Sequence, residues 1–182
     1  MKHHTLNIVS IKTKQHGITL IEILLALVIF GLAIGYGVQR YQQSQQRDTV
    51  NNLAAQASTV YAAMQSARAS PGYATNNFNQ YLNLSKVFDP KLYNVTVAGT
   101  TATVTNARSG GAVAATGATA NYTYSETLVD PGVCAGFLPS ISPSQYSSVT
   151  VGATVLPTPV DGFTAATTCG SVASTVLLTS RG

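Results

Sequence analysis

The stretch Gly17-Ile18-Thr19-Leu20-Ile21-Glu22-Ile23-Leu24-Leu25-Ala26-Leu27-Val28-Ile29-Phe30 decides how this chain is built. It opens a run from Ile18 to Val38 that is apolar almost throughout, apart from Thr19 and Glu22. The run is 21 residues long, enough to cross a hydrocarbon core of about 30 Å as a helix. Residues 1–17 are polar and basic, with no apolar stretch longer than Ile8-Val9. A basic flank favours keeping that end in the cytoplasm. A conventional secretory signal has a shorter apolar core followed by a small-x-small cleavage site. Gly35-Tyr36-Gly37-Val38-Gln39-Arg40 matches such a site poorly, so cleavage after the run is not expected.

Glu22 stands out on energetic grounds. A carboxylate in an apolar span costs roughly 2.5–3.5 kcal/mol on insertion scales, so it needs a cationic partner or an interfacial position. Gly31 and Gly35 form a GxxxG arrangement, which lets helices approach closely in a membrane. Gly31, Gly35 and Gly37 also each weaken a helix by about 1 kcal/mol relative to Ala.

Beyond Val38 the helical pattern becomes amphipathic. Val50, Leu53, Ala54, Ala57, Val60, Tyr61, Met64 and Ala67 recur in steps of three and four, with polar residues between them. Ser70-Pro71-Gly72 is a stop signal. One helix is therefore expected from about Ile18 to about Ala69, apolar in its first half and amphipathic in its second.

Lys12-Thr13-Lys14-Gln15-His16-Gly17 followed by Ile18-Thr19-Leu20-Ile21-Glu22 resembles the leader junction of type IV prepilins. The resemblance is residue-specific over about Lys12–Val38. It implies cleavage by a prepilin peptidase between Gly17 and Ile18, and N-methylation of Ile18. It also implies that Glu22 pairs with the Ile18 amine of a neighbouring subunit during assembly. Ile18 in place of the commonest subclass's phenylalanine, and a leader of 17 residues, point to a type IVb-like prepilin. The family often carries a proline past the middle of this helix, and this chain does not. Gly31 and Gly35 are candidates for helix packing in its place.

After Pro71 the pattern changes to strands. Tyr93–Val97 and Ala102–Thr105 alternate around Gly99-Thr100, which reads as a hairpin. Asn121–Tyr124, Ser147–Val151 and Ser171–Thr179 are further strands, with short helices near Asn77–Leu82 and Val133–Leu138. Pro157, Pro159 and Gly162 break the chain between the last two strands. The small-residue run Arg108–Ala120 reads as a surface loop. The expected fold is α+β: a long N-terminal helix packed through its second half on an antiparallel head of four to six strands, similar to a type IV pilin. The segments would be 1–17 leader, 18–38 membrane and filament core, 39–69 amphipathic helix and 70–182 globular head.

Only 9% of residues are charged, against roughly 25% in ordinary soluble proteins, which suits an exported chain. Cys134 and Cys169, 35 residues apart, then read most simply as one disulfide, worth about 3–4 kcal/mol by loop closure. Two buried free thiols are the alternative. Such a bridge is usual in pilins and usually lacking in pseudopilins of type II secretion systems.

Cleavage after Gly17 would remove Lys2, Lys12, Lys14 and all three histidines, leaving seven basic residues against six acidic ones. No basic cluster remains to track phosphates, so nucleic acid is not an expected partner. A histidine-based catalytic or metal site is excluded from the mature chain, and no cofactor is expected. Asp89, Glu126, Asp130 and Asp161 lack metal-loop spacing and read as turn and surface residues. Asp48 beside Arg47 reads as a solvated or inter-subunit charge pair. Tyr73, Tyr81, Tyr122, Tyr124 and Tyr146 read as core residues of the head.

The resemblance therefore implies a non-enzymatic pilus subunit whose partners are other copies of itself, a prepilin peptidase, the assembly machinery and the membrane. Its location would be the inner membrane of a bacterium before assembly and an extracellular pilus afterwards. Minor pilin or type II secretion pseudopilin is the nearest alternative. An uncleaved single-pass protein with a periplasmic binding domain is a third. Adhesion, aggregation, motility, conjugation and DNA uptake all use such filaments, and no motif in the head selects among them.

Overall fold

The computed structural model describes residues 19–68 and 72–182. The element order is α1 (Leu20–Ala67), α2 (Asn79–Leu84), β1 (Tyr93–Ala98), β2 (Thr101–Asn106), β3 (Ala112–Ala118) and β4 (Asn121–Val129). Then follow α3 (Pro131–Phe137), a 3₁₀ turn (Leu138–Ser140), β5 (Tyr146–Val151), β6 (Thr154–Pro157), α4 (Gly162–Cys169) and β7 (Ser174–Ser180). The chain divides into two compact units, one ending at Gln42 and one covering Gln43–Gly182. Helix α1 runs through the boundary without a break. Ser70 and Pro71 of the expected stop signal lie outside the described residues, and the last helical residue is Ala67.

The second unit is an antiparallel sheet with strand order β1-β2-β3-β4-β7-β5-β6. It has seven strands rather than four to six. Leu53, Ala57, Val60 and Met64 recur at helical spacing and are buried in its core. Each large aliphatic side chain buried this way contributes about 1.5–3 kcal/mol. Tyr146 fixes the helix to the sheet through a polar contact as well. Its hydroxyl donates to the Ala57 carbonyl at 2.7 Å and accepts from the Tyr122 hydroxyl at 3.2 Å. Both phenols are buried, which pushes their pKa values well above the ordinary 10.

The hairpin around Gly99-Thr100 forms, with strands paired from Tyr93↔Asn106 to Ala98↔Thr101. Gly99 takes φ +63, as the first central position of a type II′ turn requires. The run Arg108–Ala120 is not a surface loop, because its middle forms β3. Alternate residues Val113 and Ala115 are buried, and the strand is built of small side chains for a steric reason. A Cβ on Gly117 would stand 2.1 Å from the Ala74 carbonyl oxygen and 2.8 Å from the Phe78 ring. Beyond Val113, β3 leaves β2 and bonds to the segment after the long helix instead. Phe78 N–H donates to Ala115 C=O at 2.8 Å, and the Asn79 side chain donates to Val113 C=O and accepts from Ala115 N–H.

Two elements appear where the chain was expected only to be broken. Asp161 caps α4 by accepting from Phe163 N–H and Thr164 N–H at 3.0 and 2.9 Å. The Thr164 hydroxyl, and then the backbone donors, hold its carboxyl below its ordinary pKa. Strand β6 precedes it at the sheet edge. The short helix expected at Asn77–Leu82 lies two residues later, at Asn79–Leu84. Tyr73, Tyr122, Tyr124 and Tyr146 are buried, but Tyr81 is on the surface, with its hydroxyl 3.0 Å from that of Ser66.

Candidate assembly site

The first unit presents apolar surface almost without relief. From Leu20, 78% exposed, to Tyr41, its large aliphatic and aromatic side chains are all exposed. A soluble monomer rarely exposes a continuous apolar surface of this extent, which marks it as a contact surface. Helix α1 is long and apolar enough to cross a membrane.

Gly17 and Ile18 lie outside the described residues. Glu22 lies in the first turn of α1, where its Oε2 accepts from Thr19 N–H at 3.2 Å and from the Thr19 hydroxyl at 3.3 Å. The reach from the third helical residue back to the residue before the helix is half of a capping box. The sequence carried that signal in Thr19-x-x-Glu22. It places a negative charge at the positive end of the helix dipole, where it is stabilising. Gly31 and Gly35 are exposed, and a Cβ added at either would meet nothing within 4 Å. Their closeness is thus available to other helices. Where the apolar run ends, Arg40 Nε and Nη2 donate to the Tyr36 hydroxyl at 2.9 and 2.7 Å. An aromatic-cationic pair of this kind suits a membrane–water interface.

In the second unit, Cys134 of α3 and Cys169 of α4 are joined, with Cα atoms 5.8 Å apart. Asp130 caps α3 by accepting from Gly132 N–H at 2.9 Å, and Asp89 accepts from Lys91 N–H at 2.9 Å. These two acids are local turn and cap residues. Glu126 is not a surface residue but 5% exposed. Continuing the alternation Tyr122, Tyr124, Glu126 along β4 would have put it on the core face. Burial raises its pKa above the ordinary 4.5, while hydrogen bonds from Asn106 and Tyr124 oppose that rise. A bulge follows between Glu126 and Val129, so that Val129 turns inward and Leu128, at φ 55, turns out. Glu126 also lines a cavity of about 300 Å³ with Arg108 and Asp130. Among the described residues, no group of three or more His, Cys, Asp or Glu side chains is placed to hold a metal.

Comparison with known proteins agrees with both units. Residues 12–36 match the family described as the prokaryotic N-terminal methylation motif. No curated protein matches the sequence. Among solved structures, the fold is similar to a type IV b pilin from Salmonella typhi, with a TM-score of 0.59 and 17% identity. The match covers 74% of this chain and 99% of that one. At that identity the likeness is one of fold, and the motif is an independent match in sequence. A match to the prokaryotic N-terminal methylation motif at residues 12–36, which run into the start of the long helix, thus stands beside a fold similar to that of a type IV b pilin.

Proposed function

We propose that a prepilin peptidase cuts this chain after Gly17, that the new Ile18 amine is methylated, and that the mature subunit polymerises into a type IV pilus through the apolar half of α1. The observation that carries this reading is the methylation motif over residues 12–36, set against a helix whose apolar side chains are exposed from Leu20 to Tyr41. The leader, residues 1–17, keeps the precursor oriented in the inner membrane. Residues 18–38 form the membrane span and later the filament core. Residues 39–69 attach that core to the head, residues 70–182.

Glu22 joins neighbouring subunits by pairing with the Ile18 amine of another copy. A buried carboxylate and a buried ammonium each cost several kcal/mol alone, and pairing offsets that cost. Gly31 and Gly35 let the helices of successive subunits approach closely. The assembled filament is extracellular. Its partners are other copies of the chain, the peptidase and the assembly machinery.

Surface filaments sheared from cells and analysed for their bulk subunit test this reading. The chain is expected as the main component. Filaments in which it is absent, with the chain retained in the envelope and its deletion blocking protein secretion, would assign it to a secretion pseudopilin instead. Glu22→Ala should be cleaved normally and fail to assemble, and normal filaments from that variant would refute the role of Glu22. A bulky replacement of Gly17 should leave precursor in the membrane.

A further inference from the structure

The two edges of the sheet are built differently. Strand β6 is four residues long and ends on Pro157, which has no N–H to offer. Such shortness and proline are the usual means of blocking edge-to-edge pairing. Strand β1, Tyr93-Asn94-Val95-Thr96-Val97-Ala98, has no charge, no proline and no bulge, and it pairs with β2 along its full length.

The hydrogen-bond parity of β1 follows from its hairpin. A two-residue hairpin loop is closed by a hydrogen-bonded pair, here Ala98 and Thr101. Two residues per step then assigns Thr96, Asn94 and Leu92 to β2, and Ala107 N–H does donate to Leu92 C=O at 2.8 Å. Tyr93, Val95 and Val97 therefore turn their backbone groups to the open edge. The Tyr93 N–H is taken by Asp89 C=O at 2.9 Å. The N–H and C=O groups of Val95 and Val97 stay unpaired among the described residues. Beside this edge lies a groove of about 610 Å³ walled by Val87, Phe88 and Pro90, with Tyr93 and Val95 on its strand side.

We infer that the β1 edge pairs antiparallel with β1 of a second copy, centred on Val95. The strand is its own complement in this register. Val95 faces the second copy's Val95 and exchanges two hydrogen bonds with it. Tyr93 faces the second copy's Val97, and its free carbonyl accepts that residue's N–H. Val97, 49% exposed in the single chain, thereby gains an apolar neighbour beside the groove. Asn94 and Thr96 face each other across the outer face, and β1 itself carries no charge to set against its copy, while Lys86 and Asp89 beside the groove are of opposite sign. A two-fold contact closes at two copies. It cannot extend a filament, and it joins heads that belong to separate filaments or to unassembled subunits. The contact goes beyond the polymerisation proposed above and does not depend on it.

Cross-linking of the purified full-length chain in detergent tests both partner and register. Asn94 and Thr96 of the two copies form a non-hydrogen-bonded pair with Cα atoms about 4.5 Å apart, within disulfide reach. Two copies of residue 96, or two of residue 94, lie diagonally at about 7–8 Å. An equal mixture of Asn94→Cys and Thr96→Cys chains should on mild oxidation give about fivefold or more disulfide-linked dimer than either alone. Both positions are exposed, so the fold should survive. Adding Val97→Lys to each chain should return the mixture to the single-variant level. A mixture no better than the single variants would overturn the inference, since the edge then takes a strand other than its own copy. Thr96→Cys alone cross-linking as strongly as the mixture would also overturn it, because that is parallel stacking.

Discussion

Leu27 and Val60 are both aliphatic residues of one unbroken helix, yet Leu27 is 63% exposed and Val60 is 0% exposed. The second half of α1 has one apolar stripe and a sheet to bury it, so its hydrophobic free energy is satisfied within the chain. The first half is apolar on all sides and has no such cover among the described residues. A helix apolar all round is stable only in lipid or among other protein surfaces. The difference shows that one continuous backbone can serve two environments, because side-chain pattern and not helix geometry selects the neighbour. Stability of the head and partnership of the chain should then respond to different substitutions.

The largest effect should fall on the head alone. Replacing Cys134 and Cys169 by Ser should lower head stability by about 3–4 kcal/mol, read as a fall in thermal midpoint of the solubilised chain. Membrane association through α1 should be untouched. Leu27→Arg should act in the opposite way, costing about 2.5–3.5 kcal/mol of membrane insertion. It should deplete the membrane fraction and the filaments while leaving the head's midpoint unchanged.

Val60→Ala should cost the head about 1.5–3 kcal/mol, from lost transfer energy and the cavity left behind. Leu27→Ala should shift the same midpoint by less than about 0.5 kcal/mol. Equal shifts from these two truncations would break the comparison between the halves.

The smallest effect concerns pH. Burial raises the pKa of Glu126 in the folded head, so the site favours the protonated acid. Its contribution to stability is fully present below the ordinary carboxylate pKa and is lost as pH rises through the raised folded value. Glu126→Gln should remove that slope and stabilise the head at neutral pH. A melting series across pH checks it, and a stability rising with pH through that window in the parent alone would contradict the assignment.

Much of this was legible in the sequence where a repeating pattern met a single environment. The apolar run, the stripe Leu53–Met64 and the β1–β2 hairpin each follow one period over many residues. Strand β3 was hidden because its small residues were chosen by close backbone neighbours, Ala74 and Phe78 against Gly117, which lie far away in the chain. The caps of α3 and α4 were present in the text as Asp130-Pro131 and Asp161-Gly162-Phe163-Thr164. An aspartate before proline or glycine is equally a turn signal, so the spacing alone does not separate a cap from a turn. Glu126 was misplaced on the surface for a different reason. Its charge outweighed a position that the alternation of Tyr122 and Tyr124 already assigned to the core. At the start of α1, the apolar setting of Glu22 calls for a charged partner, and its local bond to Thr19 adds a capping interaction within the chain.

The central proposal is that cleavage frees a new amine on Ile18, ahead of the exposed half of α1. Intact-mass and N-terminal fragment analysis of the chain recovered from sheared surface filaments tests it most directly. The account predicts an N-methylated Ile18 as first residue and a mass about 2 Da below that of the reduced chain, from the closed bridge. Filament-derived protein that still begins at Met1 would contradict it.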